Sequence, residues 1–302
     1  MTVSVVIGYG SIGQRHVKLL EELGCEVAVV SRRDIVHPKR FRSIADALSA
    51  LPIDYVVIAN ETSAHIPTVE DLLSQQFRGR VLIEKPLGES RTFESSFDLV
   101  AVGYNLRFHP VLIALADEIA EQQLIAMQIY CGQFLPDWRP GTDYRQCYSS
   151  DTGRGGGVLR DLSHELDYLM WLAGPWLRVA ALGGRSGALD VASDEYWALL
   201  FELERCPVAT VQINYLDRPG RRQVIVVTNN HTYCADLQLS TLTRDREARI
   251  FPGDRDHTYR AQHRAMLSGD TSRLCTLAQG SRVMELIAAV ERAAGKGIWV
   301  IA

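Results

Sequence analysis

Short apolar runs alternate with helical stretches along the first hundred residues of the chain. The runs are rich in β-branched residues and lack polar alternation, as expected for strands buried on both faces. They lie at 3–7, 27–30, 55–59, 81–83 and 100–102, and helices are predicted between them at 12–23, 44–51 and 67–75. This alternation predicts a doubly wound α/β domain with a parallel sheet and right-handed crossovers.

The pattern changes after about Phe108. Residues 209–215 alternate between apolar and polar side chains, which is typical of a strand with one buried face. Runs on either side of Asn229-Asn230-His231 predict a hairpin, because Asn tolerates positive φ. About six mainly antiparallel strands are expected, with helices on one side, at 125–130, 179–182, 196–202, 209–215, 223–228 and 232–236 for strands and 111–121, 159–172 and 281–294 for helices. We therefore expect two domains, 1–108 and 109–302, the second an α+β domain with an open sheet.

A glycine-rich turn, GYGSIG, joins the first predicted strand to the first predicted helix. One glycine permits the tight turn, a second lets a pyrophosphate approach the backbone, and the third lets the helix pack against the strand. Unpaired N–H groups at the positive end of the helix dipole would hold the anion. A plain turn can have the same sequence, but at the start of a βαβ pattern we expect dinucleotide binding by Gly8, Tyr9, Gly10, Ser11, Ile12 and Gly13.

The residues after the second predicted strand bear on the choice of cofactor. An NAD site usually has an acidic residue about 20 positions beyond the glycines, on the ribose 2′-hydroxyl. Here Ser31-Arg32-Arg33 follows the strand, and Asp34 lies one position beyond the place expected for the acidic residue. Because Arg binds phosphate in bidentate fashion, we expect Ser31, Arg32 and Arg33 to favour NADP, with NAD as the second choice. A solvated basic loop is the alternative.

A lysine follows the fourth predicted strand, in Glu84-Lys85-Pro86. Ligands of open α/β sheets bind beyond the carboxyl ends of the strands, and the proline restricts the conformation of Lys85. Its ammonium group would stabilise an alkoxide on the substrate, and Glu84 would lie beside the cofactor. The alternative is that Lys85 is an ordinary solvated residue at the end of a strand. After the third strand, side chains that would either line the cofactor or cap the next helix are Asn60, Thr62 and His65.

A polar stripe marks one predicted helix of the second half. Three glycines, 155–157, precede it, and Asp161, His164 and Tyr168 recur at i, i+3 and i+7. A carboxylate one turn from an imidazole orients the ring and favours its protonated form after proton transfer. The glycines cost backbone entropy, which is easier to explain if a ligand approaches closely. An amphipathic helix whose polar stripe faces water is an equal alternative.

Composition narrows the class of protein. The chain has 302 residues, of which 47% are hydrophobic and 23% charged, with a formal net charge of −4. This balance disfavours nucleic acid as a partner, and no apolar run approaches the ~20 residues of a membrane span. The amino terminus does not have the pattern of a secretory signal. Six scattered cysteines without a CxxC pair indicate reduced thiols in the cytoplasm, and the histidines show no metal-ligand cluster.

The three motifs GYGSIG, EKP and GGG-x3-D-x2-H, in this order, resemble the Gfo/Idh/MocA family of NAD(P)-dependent oxidoreductases. GYNLRFHP, 103–110, extends the likeness to the predicted domain junction. The resemblance implies an amino-terminal Rossmann domain and a carboxyl-terminal domain for substrate binding and oligomerisation. It also implies dimers or tetramers formed through the carboxyl-terminal sheet, and a small carbohydrate as substrate.

The same resemblance implies roles for individual residues. Lys85 matches the lysine of EKP, His164 the general acid/base, and Asp161 the carboxylate that accompanies it. The family more often spaces that Asp and His four apart rather than three, so Arg160, four before His164, is an alternative contact. Further substrate contacts are expected at Tyr104, Asn105 and Arg107.

The implied reaction transfers a hydride between nicotinamide and a hydroxyl or keto carbon of a sugar, polyol or nucleotide sugar. Details of the resemblance suggest bacterial surface-carbohydrate synthesis. Two alternatives stay open: a dinucleotide-binding sensor without turnover, and an enzyme that uses tightly bound cofactor for a net non-redox reaction. The presence of both Lys85 and His164 argues against a sensor, which needs neither.

Overall fold

The computed structural model describes residues 1–88, 96–138 and 141–302, which include every candidate site residue. The chain divides into two compact units. Unit 1 comprises Met1–Phe108 and Arg255–Met284, and unit 2 comprises His109–Asp254 and Glu285–Ala302.

The regular elements of the described ranges are numbered in chain order. The strands are β1 (Val3–Ile7), β2 (Glu26–Val30), β3 (Arg40–Phe41), β4 (Tyr55–Ile58), β5 (Arg80–Ile83), β6 (Leu99–Val102), β7 (Leu124–Gly132), β8 (Trp176–Gly184), β9 (Tyr196–Leu203), β10 (Val208–Asn214), β11 (Arg221–Thr228), β12 (Thr232–Asp236), β13 (Thr241–Arg244), β14 (Glu247–Ile250), β15 (Cys275–Thr276) and β16 (Val300–Ile301). The α-helices are α1 (Ser11–Glu22), α2 (Ile44–Ala50), α3 (His65–Ser74), α4 (Pro110–Ile119), α5 (Val158–Asp161), α6 (His164–Ala173), α7 (His257–Ser268) and α8 (Leu277–Lys296).

Unit 1 is built on a seven-stranded sheet with the order β15-β6-β5-β4-β1-β2-β3. Strands β1 to β6 are mutually parallel, and β1 is buried along its whole length, as is typical of a parallel sheet. The predicted parallel α/β domain is confirmed. Read from β3, the order is that of a Rossmann fold, whose direction reverses between β1 and β4.

The segment Arg255–Met284 returns to unit 1, whereas the predicted second domain, 109–302, includes it. Burial explains the difference, since Met266 and Leu274 belong to the same hydrophobic core as Tyr55. Strand β15 extends the sheet by antiparallel pairing with β6. No pattern in the sequence connects this late segment to the first hundred residues.

Unit 2 contains a nine-stranded sheet in the order β14-β13-β12-β11-β7-β10-β9-β8-β16. All neighbouring pairs are antiparallel except β7 with β10, so the predicted mostly antiparallel sheet is confirmed. The hairpin around Asn229 is also confirmed, as β11 and β12, but neither Asn229 nor Asn230 adopts the positive φ that suggested it. The expected six strands become nine because β13, β14 and β16 are short and carry little hydrophobic signal.

The predicted helix 159–172 is broken into α5 and α6. Leu162 leaves the helical region with φ −97° and ψ 30°, so the chain turns between Asp161 and His164. Helix α6 is buried on nearly every side, including its polar residues. The polar stripe therefore does not face water, and the solvated alternative is wrong.

No α-helix in the described part of the chain is long and apolar enough to span a lipid bilayer.

Candidate active site

The glycine turn of unit 1 has the three features that a pyrophosphate site needs. Gly8 has φ +99°, and a Cβ there would lie 2.6 Å from the carbonyl oxygen of Ala59. A Cβ on Gly13 would lie 2.1 Å from the carbonyl oxygen of Gly8, so this glycine lets α1 pack against β1. A Cβ on Gly10 would meet no atom within 4 Å, which leaves the backbone open to a ligand.

The neighbours of Gly10 leave the start of α1 accessible. Gly10 is the N-cap and supplies no side chain to the first N–H groups of the helix. Ser11 is exposed, Ile12 packs against the hydrophobic core, and the Tyr9 ring lies edge-on to His37. Free N–H groups at the positive end of a helix attract an anion, so this turn fits the pyrophosphate of a dinucleotide.

The basic loop after β2 presents two arginines to solvent. The buried Ser31 hydroxyl accepts a hydrogen bond from the Arg33 N–H at 3.2 Å, while the Arg32 and Arg33 side chains are exposed. Asp34, the acidic candidate for the ribose, instead accepts a hydrogen bond from Arg40 at 2.8 Å. The charge of Asp34 is thus partly balanced by an arginine of the next strand, β3.

Asn60 offers an acceptor beside the glycine turn. Its Nδ2 donates to Thr68 Oγ1 at 2.8 Å, but its buried Oδ1 has no hydrogen-bonding partner among the described residues. Because a buried acceptor without a partner is costly, this atom fits a donor supplied by a ligand. Thr62 lies in the 3-10 turn that follows.

His65 links the loops that follow β4 and β5. Its Nδ1 lies 2.9 Å from the carbonyl oxygen of Pro86, and its Nε2 lies 3.3 Å from that of Asn60. Burial lowers the pKa of His65 and keeps the ring neutral. The structure therefore gives His65 a positioning contact to the EKP segment.

Glu84 and Lys85 lie at the carboxyl end of β5, where the Rossmann sheet binds its ligands. Glu84 is buried and lies 2.9 Å from Nε2 of His16, and its second oxygen accepts the Lys85 N–H at 3.1 Å. Burial alone would raise the pKa of this carboxyl group. His16 and Lys85 outweigh that effect and hold the pKa below its ordinary value, so Glu84 is a carboxylate. The Lys85 side chain is half-buried.

The expected substrate contacts of the GYNLRFHP segment are all buried. Asn105 donates to Thr258 at 2.6 Å, and Arg107 donates to Gln279 at 2.8 Å. Both residues therefore anchor the returning segment of unit 1. Substrate contact by these side chains and by Tyr104 stays a prediction.

Asp161 and His164 of unit 2 lie on either side of the break between α5 and α6. They are 4% and 8% exposed. The two carboxylate oxygens of Asp161 accept hydrogen bonds from Tyr148 at 2.5 Å and from Tyr215 at 2.6 Å. These two tyrosines were not singled out from the sequence, because each lies in a separate segment without a motif.

The glycines before α5 are explained by the protein itself. Gly157 has φ +115°, and a Cβ there would lie 2.0 Å from Oδ1 of Asp194. A Cβ on Gly156 would lie 2.0 Å from the carbonyl oxygen of Tyr148. Asp194 also accepts the Leu159 N–H at 2.9 Å and so caps the start of α5. Close approach of a ligand is therefore not needed to explain these glycines.

The remaining polar residues of this segment form ion pairs. Arg160 lies 2.7 Å from Glu291 of α8. Tyr168 donates to Glu165, which pairs at 2.7 Å with the half-buried Arg222 of β11. Tyr168 therefore contributes to a charged cluster that attaches α6 to the sheet.

Comparison with known proteins adds independent evidence. Residues 118–233 match the model of the GFO/IDH/MocA C-terminal domain. The chain carries this domain. The resemblance predicted from the three motifs is thereby confirmed. The rhizopine catabolism protein MocA of Rhizobium meliloti is 29% identical over 187 residues, 56% of this chain and 56% of that protein, so the match spans only about half the length of this relative.

Solved structures share the fold of this chain over its whole length. GenD2 from gentamicin A biosynthesis, in complex with NAD, has a TM-score of 0.81 at 20% identity and covers 100% of this chain and 96% of its own. Levoglucosan dehydrogenase with NADH and levoglucosan has a TM-score of 0.83 at 14% identity, with 100% and 99% covered. The WlbA dehydrogenase of Bordetella pertussis, with NADH and UDP-GlcNAcA, has a TM-score of 0.78 at 17% identity, with 99% and 98% covered.

Proposed function

We propose that this chain is a nicotinamide-dinucleotide-dependent oxidoreductase that acts on a hydroxyl or keto carbon of a sugar, polyol or nucleotide-sugar derivative. The glycine turn carries the proposal. It lies where the strand order reverses, it leaves Gly10 open, and the unpartnered Oδ1 of Asn60 lies beside it. These features fit a dinucleotide and have no use in a domain that only packs against itself.

In the proposed reaction, the bound nicotinamide takes up or releases the hydride of the substrate carbon. Lys85 donates a hydrogen bond to the oxygen on that carbon and stabilises its developing negative charge. His164 accepts the hydroxyl proton during oxidation and returns it during reduction. Asp161 lies three residues from His164, and hydrogen bonds from two tyrosine hydroxyls fix the orientation of its carboxyl group.

We propose NADP as the preferred cofactor and NAD as the second. Two exposed arginines follow β2, and the nearby Asp34 is engaged by Arg40. A ribose 2′-phosphate would find two positive charges there rather than a free carboxylate. The related structures named above hold NAD or NADH, so the preference needs its own measurement.

Carbohydrates are the proposed substrate class, since two of the similar structures hold levoglucosan and UDP-GlcNAcA. A role in bacterial surface-carbohydrate synthesis is the finer proposal. We propose that the reaction takes place in the cytoplasm, which suits six cysteines that form no disulfide in the described part of the chain.

A homo-oligomer, dimer or tetramer, is proposed through the sheet of unit 2. The outward face of this sheet carries a row of exposed apolar side chains on neighbouring strands: Leu182, Tyr196, Leu200, Val208 and Val227. An apolar patch of this kind is typical of a surface that another protein covers.

The decisive experiment offers a panel of sugars, polyols and nucleotide sugars with each cofactor and follows nicotinamide absorbance. Lys85→Met should abolish turnover and leave the Kd of the dinucleotide nearly unchanged. Lys18→Met, on the exposed face of α1, is the matched control. His164→Ala should lower kcat by about 10²- to 10⁴-fold.

Two results would point elsewhere. A sensor would bind the dinucleotide but turn over no member of the panel. Lys85→Met would then change neither the binding nor any response to a ligand. Cofactor that purifies with the protein and is never released would indicate a net non-redox reaction through transient oxidation. Equal loss of binding and turnover in Lys85→Met would contradict the assigned role of the lysine.

A further inference from the structure

Four buried side chains of unit 1 form one continuous hydrogen-bonded chain. Oε1 of Glu84 lies 2.9 Å from Nε2 of His16, and Nδ1 of His16 lies 2.9 Å from Nε2 of His263. Nδ1 of His263 lies 3.0 Å from the hydroxyl of Tyr55. We name these residues the Glu84–Tyr55 chain. The reaction proposed above uses neither of the two histidines, and it does not use the tyrosine.

The members come from four separate elements of unit 1. Glu84 follows β5, His16 lies in α1, Tyr55 begins β4, and His263 lies in α7 of the returning segment. Both histidines and the tyrosine are 0% exposed. Because water does not reach them, each polar atom depends on its neighbour in the chain.

The protonation states give the chain one direction. Burial holds the pKa of His263 far below its ordinary value, so this ring is neutral and carries one N–H. Tyr55 keeps its proton, because burial raises its pKa. The Tyr55 hydroxyl then donates to Nδ1 of His263, whose Nε2–H donates to Nδ1 of His16. Nε2–H of His16 in turn donates to the Glu84 carboxylate.

The chain ends at the candidate catalytic lysine. The second carboxylate oxygen of Glu84 accepts the main-chain N–H of Lys85 at 3.1 Å. A carboxylate held on one oxygen by an imidazole has a fixed orientation, and its second oxygen fixes the peptide that precedes the Lys85 side chain.

We propose that His16, His263 and Tyr55 are positioning residues for Lys85, acting through Glu84. Their effect on turnover rests on the function proposed above for Lys85, whereas their effect on the Lys85 backbone does not. The returning segment thereby supplies a residue, His263, that sets the geometry of a loop about 180 positions earlier in the chain.

The first experiment is nuclear magnetic resonance on the free protein with ¹⁵N-labelled histidine, and needs no substrate. At pH 7.5 we expect both His16 and His263 as Nε2–H tautomers. An Nδ1–H tautomer, or fast averaging between tautomers, at either ring would overturn the proposed direction of the chain.

Variants then test whether the chain reaches Lys85. Tyr55→Phe removes one hydroxyl and keeps the ring, and His263→Phe removes both hydrogen bonds. In each, the amide resonance of Lys85 should shift, with the larger shift in His263→Phe. Phe77→Leu, which loosens the packing of Phe77 on Phe97 in the same unit, should leave that resonance in place. An unshifted Lys85 amide in both Tyr55→Phe and His263→Phe would refute the proposal.

Kinetics complete the test once a substrate is known. We expect His263→Phe to lower kcat by between about 10-fold and about 10²-fold with the dinucleotide Kd unchanged, because the catalytic group is misplaced and the binding surface is intact. Tyr55→Phe should lower kcat less, and Phe77→Leu should lower thermal stability without changing kcat. Equal kcat in His263→Phe and wild type would overturn the catalytic part alone. A panel without any substrate would count against the proposed function, while the Lys85 amide shift would still decide the positioning.

Discussion

Acid should destabilise this protein through His263 before the carboxylates begin to titrate. In the folded chain His263 is fully buried, and burial holds its pKa well below the ordinary value. In the unfolded chain the same ring titrates near pH 6.5. Below that pH the unfolded state binds a proton that the folded state does not, so the free energy of unfolding falls as the pH falls.

The size of the effect follows from this linkage. Between pH 7.5 and pH 5.5, a histidine that stays neutral when folded and has an unfolded pKa near 6.5 removes about 1.4 kcal/mol from the free energy of unfolding. His65, whose pKa burial also lowers, adds to the total in the same direction. Glu84 also has a lowered pKa, but it loses its stabilising charge only near and below pH 4.5, outside this window.

Urea unfolding followed by circular dichroism at both pH values measures the effect. Wild type should lose about 1.4 kcal/mol more stability than His263→Phe between pH 7.5 and 5.5. His263→Gln should behave as His263→Phe does, which keeps the test sound if the larger ring is poorly tolerated. Phe77→Leu should be less stable at both pH values and keep the pH dependence of wild type. The same pH dependence in wild type and both His263 variants would refute the reasoning.

Other variants test the site and the surface. Gly10→Ala should change Tm by no more than about 3 °C yet weaken dinucleotide binding at least about tenfold. Gly13→Ala should lower Tm much further, because a Cβ at Gly13 meets the backbone and a Cβ at Gly10 does not. Calorimetry with fluorescence titration separates the two, and equal effects would disprove the assigned roles. Arg32→Ala should weaken NADP about 10- to 100-fold and NAD less than about twofold, and equal weakening would remove the preference. Leu200→Asp should yield monomers in light scattering while the exposed control Val36→Asp does not, and an unchanged mass would exclude this face.

The sequence was sufficient for the buried strands of unit 1 because their patterns are local. Strands such as β1 and β4 are apolar along their whole length, and each lies within a residue or two of its prediction. The alternating residues of β10 likewise follow from one buried face. Both patterns depend only on which residues of a strand are buried. The order of apolar and polar residues within the strand itself shows this.

Structure that depends on contacts between distant residues could not be predicted from such patterns. The return of Arg255–Met284 to unit 1 depends on a core shared by Met266 and Tyr55, about 210 positions apart. The start of α5 depends on Gly157 and on Asp194, which caps this helix from a later loop. The break between α5 and α6 comes at Leu162, whose φ and ψ leave the helical region. Apolar spacing continues through the break and so hides it.

The candidate site shows the same division between local and distant information. Motifs single out Gly10, Lys85 and His164 as candidates, because each stands at the end of a strand or the start of a helix where a backbone constraint leaves a recognisable residue. The side chains that reach neighbouring positions from other segments have no such constraint. Tyr215 reaches Asp161, and His263 reaches His16, only because the folded chain brings separate segments together. A variant of His263 therefore tests more than one buried contact, since it asks whether residues invisible to motif analysis set the geometry of those that motifs reveal.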